Sequence, residues 1–114
     1  MRSPVVRFEI VGQDADRLRR FYGELLGWSF QGIGALNYGV VAAGEGGIPG
    51  GIGEAQGAQG WLTFYTRVPD LRAALAKAER MGSRVLVPLH TRGDTQIAVI
   101  SDPEGNPVGL CSAA

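Results

Sequence analysis

Val5–Phe30, VVRFEIVGQDADRLRRFYGELLGWSF, is the stretch on which the fold turns. Its opening residues, Val5 to Val11, alternate apolar and polar side chains through their middle, the pattern of a half-buried strand. Alternation puts Val6, Phe8 and Ile10 on one face, and Val5, Arg7, Glu9 and Val11 on the other. The apolar face needs cover, and the residues that follow supply it. Asp14 suits a helix N-cap, and the acidic pair Asp14 and Asp16 suits the positive end of a helix. Leu18, Phe21, Tyr22 and Leu25 then recur at i, i+3, i+4 and i+7, one apolar stripe, with Arg17, Arg19, Arg20 and Glu24 off it and Asp16, Arg17, Arg19 and Arg20 read as solvated surface. Gly27 can take the left-handed conformation that ends a helix. The spacing predicts a helix from about Asp14 to Leu26 lying on Val6, Phe8 and Ile10, which leaves Arg7 and Glu9 on a face with a different purpose.

Further along, Trp28 to Gln31 reads as a short strand, Gly32 to Gly34 as a turn, and Leu36 to Ala42 as a second strand. Gly44 to Gly53 is dense in glycine. A phosphate cradle would need a helix directly after it, and no helical pattern follows. The stretch reads as a turn and a short Gly-rich strand where backbones or a ligand approach closely. Glu54 to Gly60 reads as a linker. The order then repeats. Trp61 to Val68 is a β-rich run. Pro69 and Asp70 open a helix whose stripe is Leu71, Ala74, Leu75, Ala78 and Met81, closed by Gly82. Asp70 and Arg72 fall on its solvated surface. Arg84 to Val87 is a strand stopped by Pro88, His90 to Asp94 a turn, Thr95 to Ile100 a strand, Asp102 to Asn106 a tight turn, and Pro107 to Cys111 the last strand.

The two halves share a spacing. Gly27 and Gly82 are 55 residues apart, Arg7 and Thr63 are 56 apart, and PGGIG at Pro49–Gly53 matches PVGLC at Pro107–Cys111 at an offset of 58. The expected fold is α+β: two βαβββ units in one chain, unit 1 over about 4–53 and unit 2 over about 61–112, joined by the linker 54–60 within a single domain 1–114. Each unit carries its helix on the outer face of a mixed sheet, and the inner faces curl into a cup.

Bulk composition excludes several classes of function. The chain has 114 residues, 45% of them apolar, enough for a core. Basic and acidic residues both number 11, so the basic excess expected of a nucleic-acid or anionic-membrane binder is absent. No apolar run approaches the ~18 residues of a membrane span. Met1 to Pro4 lead into a strand without signal-peptide features, and a lone cysteine, Cys111, forms no internal disulfide. The expected location is the cytoplasm.

The chain resembles the vicinal oxygen chelate superfamily, the glyoxalase, bleomycin-resistance and dioxygenase group. The matching stretches are Val5 to Phe30, Gly46 to Gly53 (GGIPGGIG), Leu71 to Pro88 (LRAALAKAERMGSRVLVP) and Ile97 to Leu110 (IAVISDPEGNPVGL), nearly the whole chain. FYGELLGW after a strand and DPEGN before the last strand are the most specific pieces. The resemblance implies the paired βαβββ fold with a cupped sheet, and a homodimer. Enzymes of this superfamily hold a divalent metal with His, Glu or Gln on the first and last strands of each unit. Those positions are here Arg7, about Gly51, Thr63 and Gly109. Arginine keeps its proton and glycine has no side chain, so none of the four is a competent ligand. In this the chain resembles the metal-free members of the superfamily.

The expectation is a metal-free, glyoxalase-like protein that binds a small organic molecule in the cup between its units, with no cofactor, no metal and no assigned catalytic residue, and with neither nucleic acid nor membrane as partner. Arg7, Glu9, Thr63 and Tyr65 line the cup, Arg7 facing an anionic or carbonyl group, with Tyr38, Trp28 and Gln96 as further lining. For Trp28, Tyr38 and Trp61 core packing is the default reading and a pocket wall the alternative; for Arg7 and Glu9 the alternative is an ion pair or solvated face. Asn37 and Gln96 are hydrogen-bonding candidates whose facing reverses with a shift of one residue. His90 is read as a loop residue and Cys111 as a small buried apolar one. Two other functions fit the same residues: an isomerase, lyase or dioxygenase using Glu9 or His90 as a base, or a metal held in an unusual way, or an interaction module whose cup is filled by its own side chains.

Overall fold

The structure, a computed structural model, describes residues 2–35, 37–55 and 59–113. Within them the chain runs β1 (Val5–Gly12), α1 (Ala15–Leu26), β2 (Gly39–Val41), β3 (Gly50–Glu54), β4 (Trp61–Arg67), α2 (Leu71–Arg80), β5 (Val85–Arg92), β6 (Thr95–Ser101) and β7 (Pro107–Ala113). Parallel and antiparallel pairing both occur, so the α+β class with mixed sheet pairing is as the sequence predicts. Two compact units divide the chain: Arg7–Leu62, and the chain from Thr63 onward together with the N-terminal segment up to Val6.

In the Arg7–Leu62 unit the strand order is β2-β3-β1. β3 runs parallel to β1, with Phe8 opposite Gly50 and Glu9 opposite Gly51, and antiparallel to β2, with Val40 opposite Gly51. A parallel pair needs a crossover, and α1 lies in it. Asp14 caps α1, its side chain accepting from the Arg17 backbone N–H at 3.0 Å, and Gly27 ends it with φ 73°. Both ends follow from the sequence.

The rotation of α1 differs from the predicted stripe. Its buried residues are Ala15 and Arg19, whereas Phe21 is 56% and Leu25 64% exposed. Ala15 has no bulk to hold the helix off the sheet. Gly39 leaves room for Arg19, since a Cβ there would come within 2.8 Å of Arg19 Cδ. Tyr22 completes the inward line by stacking on Trp28, centroids 5.5 Å apart. Arg19, expected on the solvated surface, is only 8% exposed.

The expected strand Trp28 to Gln31 is a single bridge, Gln31 to Val40. Trp28 is drawn onto Phe8 at 5.2 Å, and left-handed Gly32 and Gly34 turn the chain away from further pairing. The expected strand Leu36 to Ala42 shrinks to β2, because Asn37 sits in a turn at φ 52°; Leu36 lies outside the described residues. Of the linker 54–60, Glu54 belongs to β3 and the Ala55 N–H donates to Gly12 O at 2.8 Å. Gln56 to Ala58 lie outside the described residues. This half is thus strand, helix, strand, strand with one bridge.

In the other unit the order is β4-β7-β6-β5, β4 and β7 being parallel with Tyr65 opposite Gly109. Pro4 O accepts from the Arg67 backbone N–H and the Thr66 hydroxyl, which ties the N-terminal segment to β4. Asp70 caps α2 through the Ala73 N–H. The predicted stripe packs as expected: Leu71, Ala98 and Leu110 form the core, with Ala74 and Leu75 against them. Met81, beyond the last turn, is 75% exposed.

The expected stop at Pro88 does not occur. β5 continues through it to Arg92, so His90 stands in a strand opposite Ile97. Within the described residues β5 pairs with β6 alone, and its register slips between Val87 and His90. Proline is tolerated at such an edge or bulge, where its missing N–H breaks no ladder. The hairpin turn is Gly93 and Asp94. Among the described residues no helix is long and apolar enough to cross a membrane, which leaves β-barrels unaddressed.

Candidate functional site

On β1, Phe8 and Ile10 turn toward the helix side while Arg7 and Glu9 turn away from it, as alternation requires. Glu9 is 5% exposed. A carboxylate buried that far must be hydrogen-bonded. Both its oxygens are: the Tyr38 hydroxyl donates to Oε2 at 2.9 Å and the Trp61 indole N–H donates to Oε1 at 3.1 Å. Arg7 is half-buried. Its Nη2 donates to the Tyr38 oxygen at 2.6 Å, and its Cζ lies 5.9 Å from the Tyr38 ring centroid. The Tyr38 hydroxyl therefore accepts from a cation and donates to an anion, a chain of charge-assisted bonds.

Tyr38 reaches this position because β3 is glycine at alternate positions. A Cβ on Gly51 would collide with the Tyr38 ring and hydroxyl, and one on Gly53 with the ring. Gly51 is paired on both sides, to Glu9 and to Val40, so the strand cannot yield. The ring occupies the space a side chain at Gly51 would need. Gly51 is also a position where the resemblance places a metal ligand. Arg7 cannot ligate, Gly51 has nothing to ligate with, and both Glu9 oxygens already accept hydrogen bonds. Among the described residues no three His, Cys, Asp or Glu side chains gather as a cation site. These residues do not fit the divalent metal of the superfamily's enzymes.

The second unit repeats the arrangement. Thr63 and Tyr65 are both buried on one face of β4. The Thr63 hydroxyl donates to Pro107 O at 2.6 Å, so its proton is committed to the backbone. A Cβ on Gly109 would strike the Tyr65 ring. In each unit a tyrosine fills the space over the glycine of the last strand.

The structure brings Arg7, Glu9 and Tyr38 together and puts Thr63 and Tyr65 side by side in the other unit. Trp28 and Gln96 depart from the expected lining. Trp28 packs with Phe8 and Tyr22, on the helix side of β1. Gln96 shares the face of Ala98 and Ile100, the residues β6 turns to the α2 core, because the strand is one residue out of the assumed phase. His90 Nδ1 lies 3.0 Å from Pro88 O, and Cys111 is a buried thiol. At the Asp102–Asn106 turn, the Asn106 side chain and backbone N–H, with the backbone N–H groups of Glu104 and Gly105, hold the Asp102 carboxyl below its ordinary value, against the opposing effect of burial.

Two residues were missed by sequence reasoning. Trp61 was read as core or pocket wall, yet its N–H anchors Glu9; the sequence shows an aromatic but not where its polar edge points. Arg19 was read as surface. The available signal was the spacing Ala15, Arg19, Tyr22, which shares a helix face as well as the apolar stripe does.

A family model described as a glyoxalase-like domain matches residues 8–111. No curated protein matches the sequence. Among solved structures, a glyoxalase/bleomycin resistance protein/dioxygenase superfamily member from Vibrio splendidus 12B01 has TM-score 0.68 at 13% identity, covering 97% of this chain and 99% of that one. Methylmalonyl-CoA epimerase from Mycobacterium tuberculosis has TM-score 0.66 at 15% identity, covering 96% and 87%. A NAD-dependent benzaldehyde dehydrogenase from Legionella pneumophila has TM-score 0.68 at 11% identity, covering 95% and 98%. At these identities the likeness is one of fold.

Proposed function

The chain belongs to the glyoxalase-like domain family, and from that premise we propose that it binds a small organic molecule bearing a carboxylate or carbonyl oxygen, without a metal, through the Arg7–Tyr38–Glu9 face of the Arg7–Leu62 unit. The observation that carries the proposal is the Tyr38 hydroxyl, held 2.6 Å from Arg7 Nη2 and 2.9 Å from Glu9 Oε2 over a glycine strand. A guanidinium offers five N–H donors in a planar fork suited to such oxygens. The aromatic surfaces of Tyr38 and Trp61 supply the apolar contact that small-molecule sites use for affinity.

The binding is sequestration rather than turnover. Glu9 as a general base is the weaker reading, because both its oxygens are already acceptors of protein hydrogen bonds. Kinship of fold does not supply a reaction. For the working assembly we propose a homodimer in the cytoplasm.

Native mass spectrometry of tag-free protein purified without chelators tests the proposal and reads the assembly in the same spectra. A bound organic mass, held about tenfold to a hundredfold more weakly by Arg7→Ala, is the expected result, since a hydrogen bond to a charged group contributes about 1.5–3 kcal/mol. One divalent metal per chain would overturn the metal-free reading. Equal retention by wild type and Arg7→Ala would remove Arg7 from the site.

A further inference from the structure

Arg19 is a buried cation that the proposed site does not use. It projects from α1, on the helix side, while Tyr38 lies with Arg7 and Glu9 on the opposite side. Both terminal nitrogens of its guanidinium are engaged with one turn and its surroundings. Nη2 donates to Asn37 Oδ1 and to Asp16 Oδ1, both at 2.6 Å, and Nη1 donates to Asn37 O at 3.1 Å and Ile52 O at 3.4 Å. The Asn37 amide nitrogen donates in turn to Glu54 Oε2 at 3.3 Å, so both ends of that side chain are tied.

Asn37 is the one non-glycine with positive φ among the described residues, at 52°. Asparagine tolerates this conformation because its short polar side chain bonds locally, and here Arg19 supplies the bond. The left-handed residue reverses the chain, and the next residue is Tyr38. Gly51 and Gly53 give the tyrosine ring room, but room is not direction. Direction is set where the chain turns, and Arg19 grips that residue through both its backbone oxygen and its side chain.

We infer that Arg19 is a positioning residue: it locks Asn37 in the left-handed turn and thereby aims the Tyr38 hydroxyl at Arg7 and Glu9. Its relevance to binding rests on the ligand site proposed above, whereas the aiming of Tyr38 does not. α1 is thus coupled to the opposite side of β3 through one side chain.

The chain has three tyrosines, so 3-fluorotyrosine labelling gives three ¹⁹F NMR signals, with that of Tyr38 assigned by its loss in Tyr38→Phe. Arg19→Met should move the Tyr38 signal toward the free amino acid while the Tyr65 signal, from the other unit, stays in place and reports an intact fold. Arg19→Lys, which keeps the charge but not the fork, should move it part of the way. An unmoved Tyr38 signal in folded Arg19→Met overturns the inference. If Arg19→Met does not fold, Asn37→Gly decides. It keeps the left-handed conformation and removes the side chain Arg19 holds, so the Tyr38 signal should shift and broaden, and a wild-type Tyr38 signal overturns the inference. The signal needs no ligand. If Arg19→Met moves it while the organic mass retained in native spectra is unchanged, the aiming of Tyr38 stands and the ligand reading fails.

Discussion

Tyr38 and Gly51 carry the site at the scale of single residues, and each makes the other necessary. Gly51→Ala puts a methyl group where the Tyr38 hydroxyl lies, on a strand held from both sides. The tyrosine must move and surrender its bonds to Arg7 and Glu9. Overpacking of this kind costs about 1–3 kcal/mol, and urea denaturation should find that loss. In a Tyr38→Ala background the same substitution should cost little, a coupling that a double-mutant cycle reads directly. Glu9 is tested separately. Glu9→Ala leaves the Tyr38 hydroxyl and the Trp61 N–H without their acceptor, at about 1–3 kcal/mol for a stranded buried donor. Glu9→Gln retains an acceptor oxygen and should lose less in the same titration. The facing of Arg7 and Glu9 was legible from the alternation of β1, because a strand of period two admits one assignment once Phe8 and Ile10 are inside. Tyr38 was legible as a candidate but not as a bridge. Its position depends on Asn37 and on glycines remote in sequence, and no local pattern records that dependence. For Arg19 the spacing with Ala15 and Tyr22 could show the face but not the partners, a turn and a strand carbonyl that periodicity does not see.

At the scale of elements, ends were easier to read than interiors. Asp14 and Gly27 are caps whose chemistry is local, and each caps its helix as expected; Asp70, expected only to open its helix, caps it too. Proline predicts a stop at Pro88, whereas β5 continues through it to Arg92, because a strand paired on one side among the described residues can carry a proline. Alternating large residues predict a strand over Trp28 to Gln31, whereas Trp28 packs on Phe8 and Tyr22 instead. The Asp102–Asn106 turn gives a pH test of one element. Hydrogen bonds from the Asn106 side chain, first among several, hold the Asp102 carboxyl below the ordinary aspartate value of 3.8. The ionised form therefore favours the folded turn. Its contribution is complete above the unfolded value and is lost as pH falls through the lower folded one. Asp102→Asn should flatten the acid limb of a melting-temperature profile below about pH 4, where the wild type still loses stability. Parallel acid limbs for the two proteins would show that the turn does not contribute.

For the whole molecule, the repeat is what the sequence displayed best, since spacing survives where side chains have diverged. Glu9 opposite Gly51 in one unit recurs as Tyr65 opposite Gly109 in the other, at offsets of 56 and 58. The same comparison shows what stands at the expected ligand positions. In each unit a tyrosine ring lies over the glycine of the last strand, Tyr38 in one and Tyr65 in the other. A single substitution should therefore not restore a metal site, because a new side chain at Gly51 or Gly109 meets a ring before it meets an ion. This has a thermodynamic consequence for the intact protein. A ligand that binds only the folded chain stabilises it by about 2.7 kcal/mol at a hundredfold excess over its dissociation constant. For a domain of this size that is a rise in melting temperature of roughly ten degrees. Zinc, manganese or nickel added in millimolar excess to chelator-treated protein should leave the melting temperature where it was, as should the chelator itself. The organic molecule found in the native spectra should raise it in wild type and raise it less in Arg7→Ala. A rise with metal that persists in Arg7→Ala and vanishes in Glu9→Gln would place a cation on Glu9 and return the chain to the metal-dependent branch of its family.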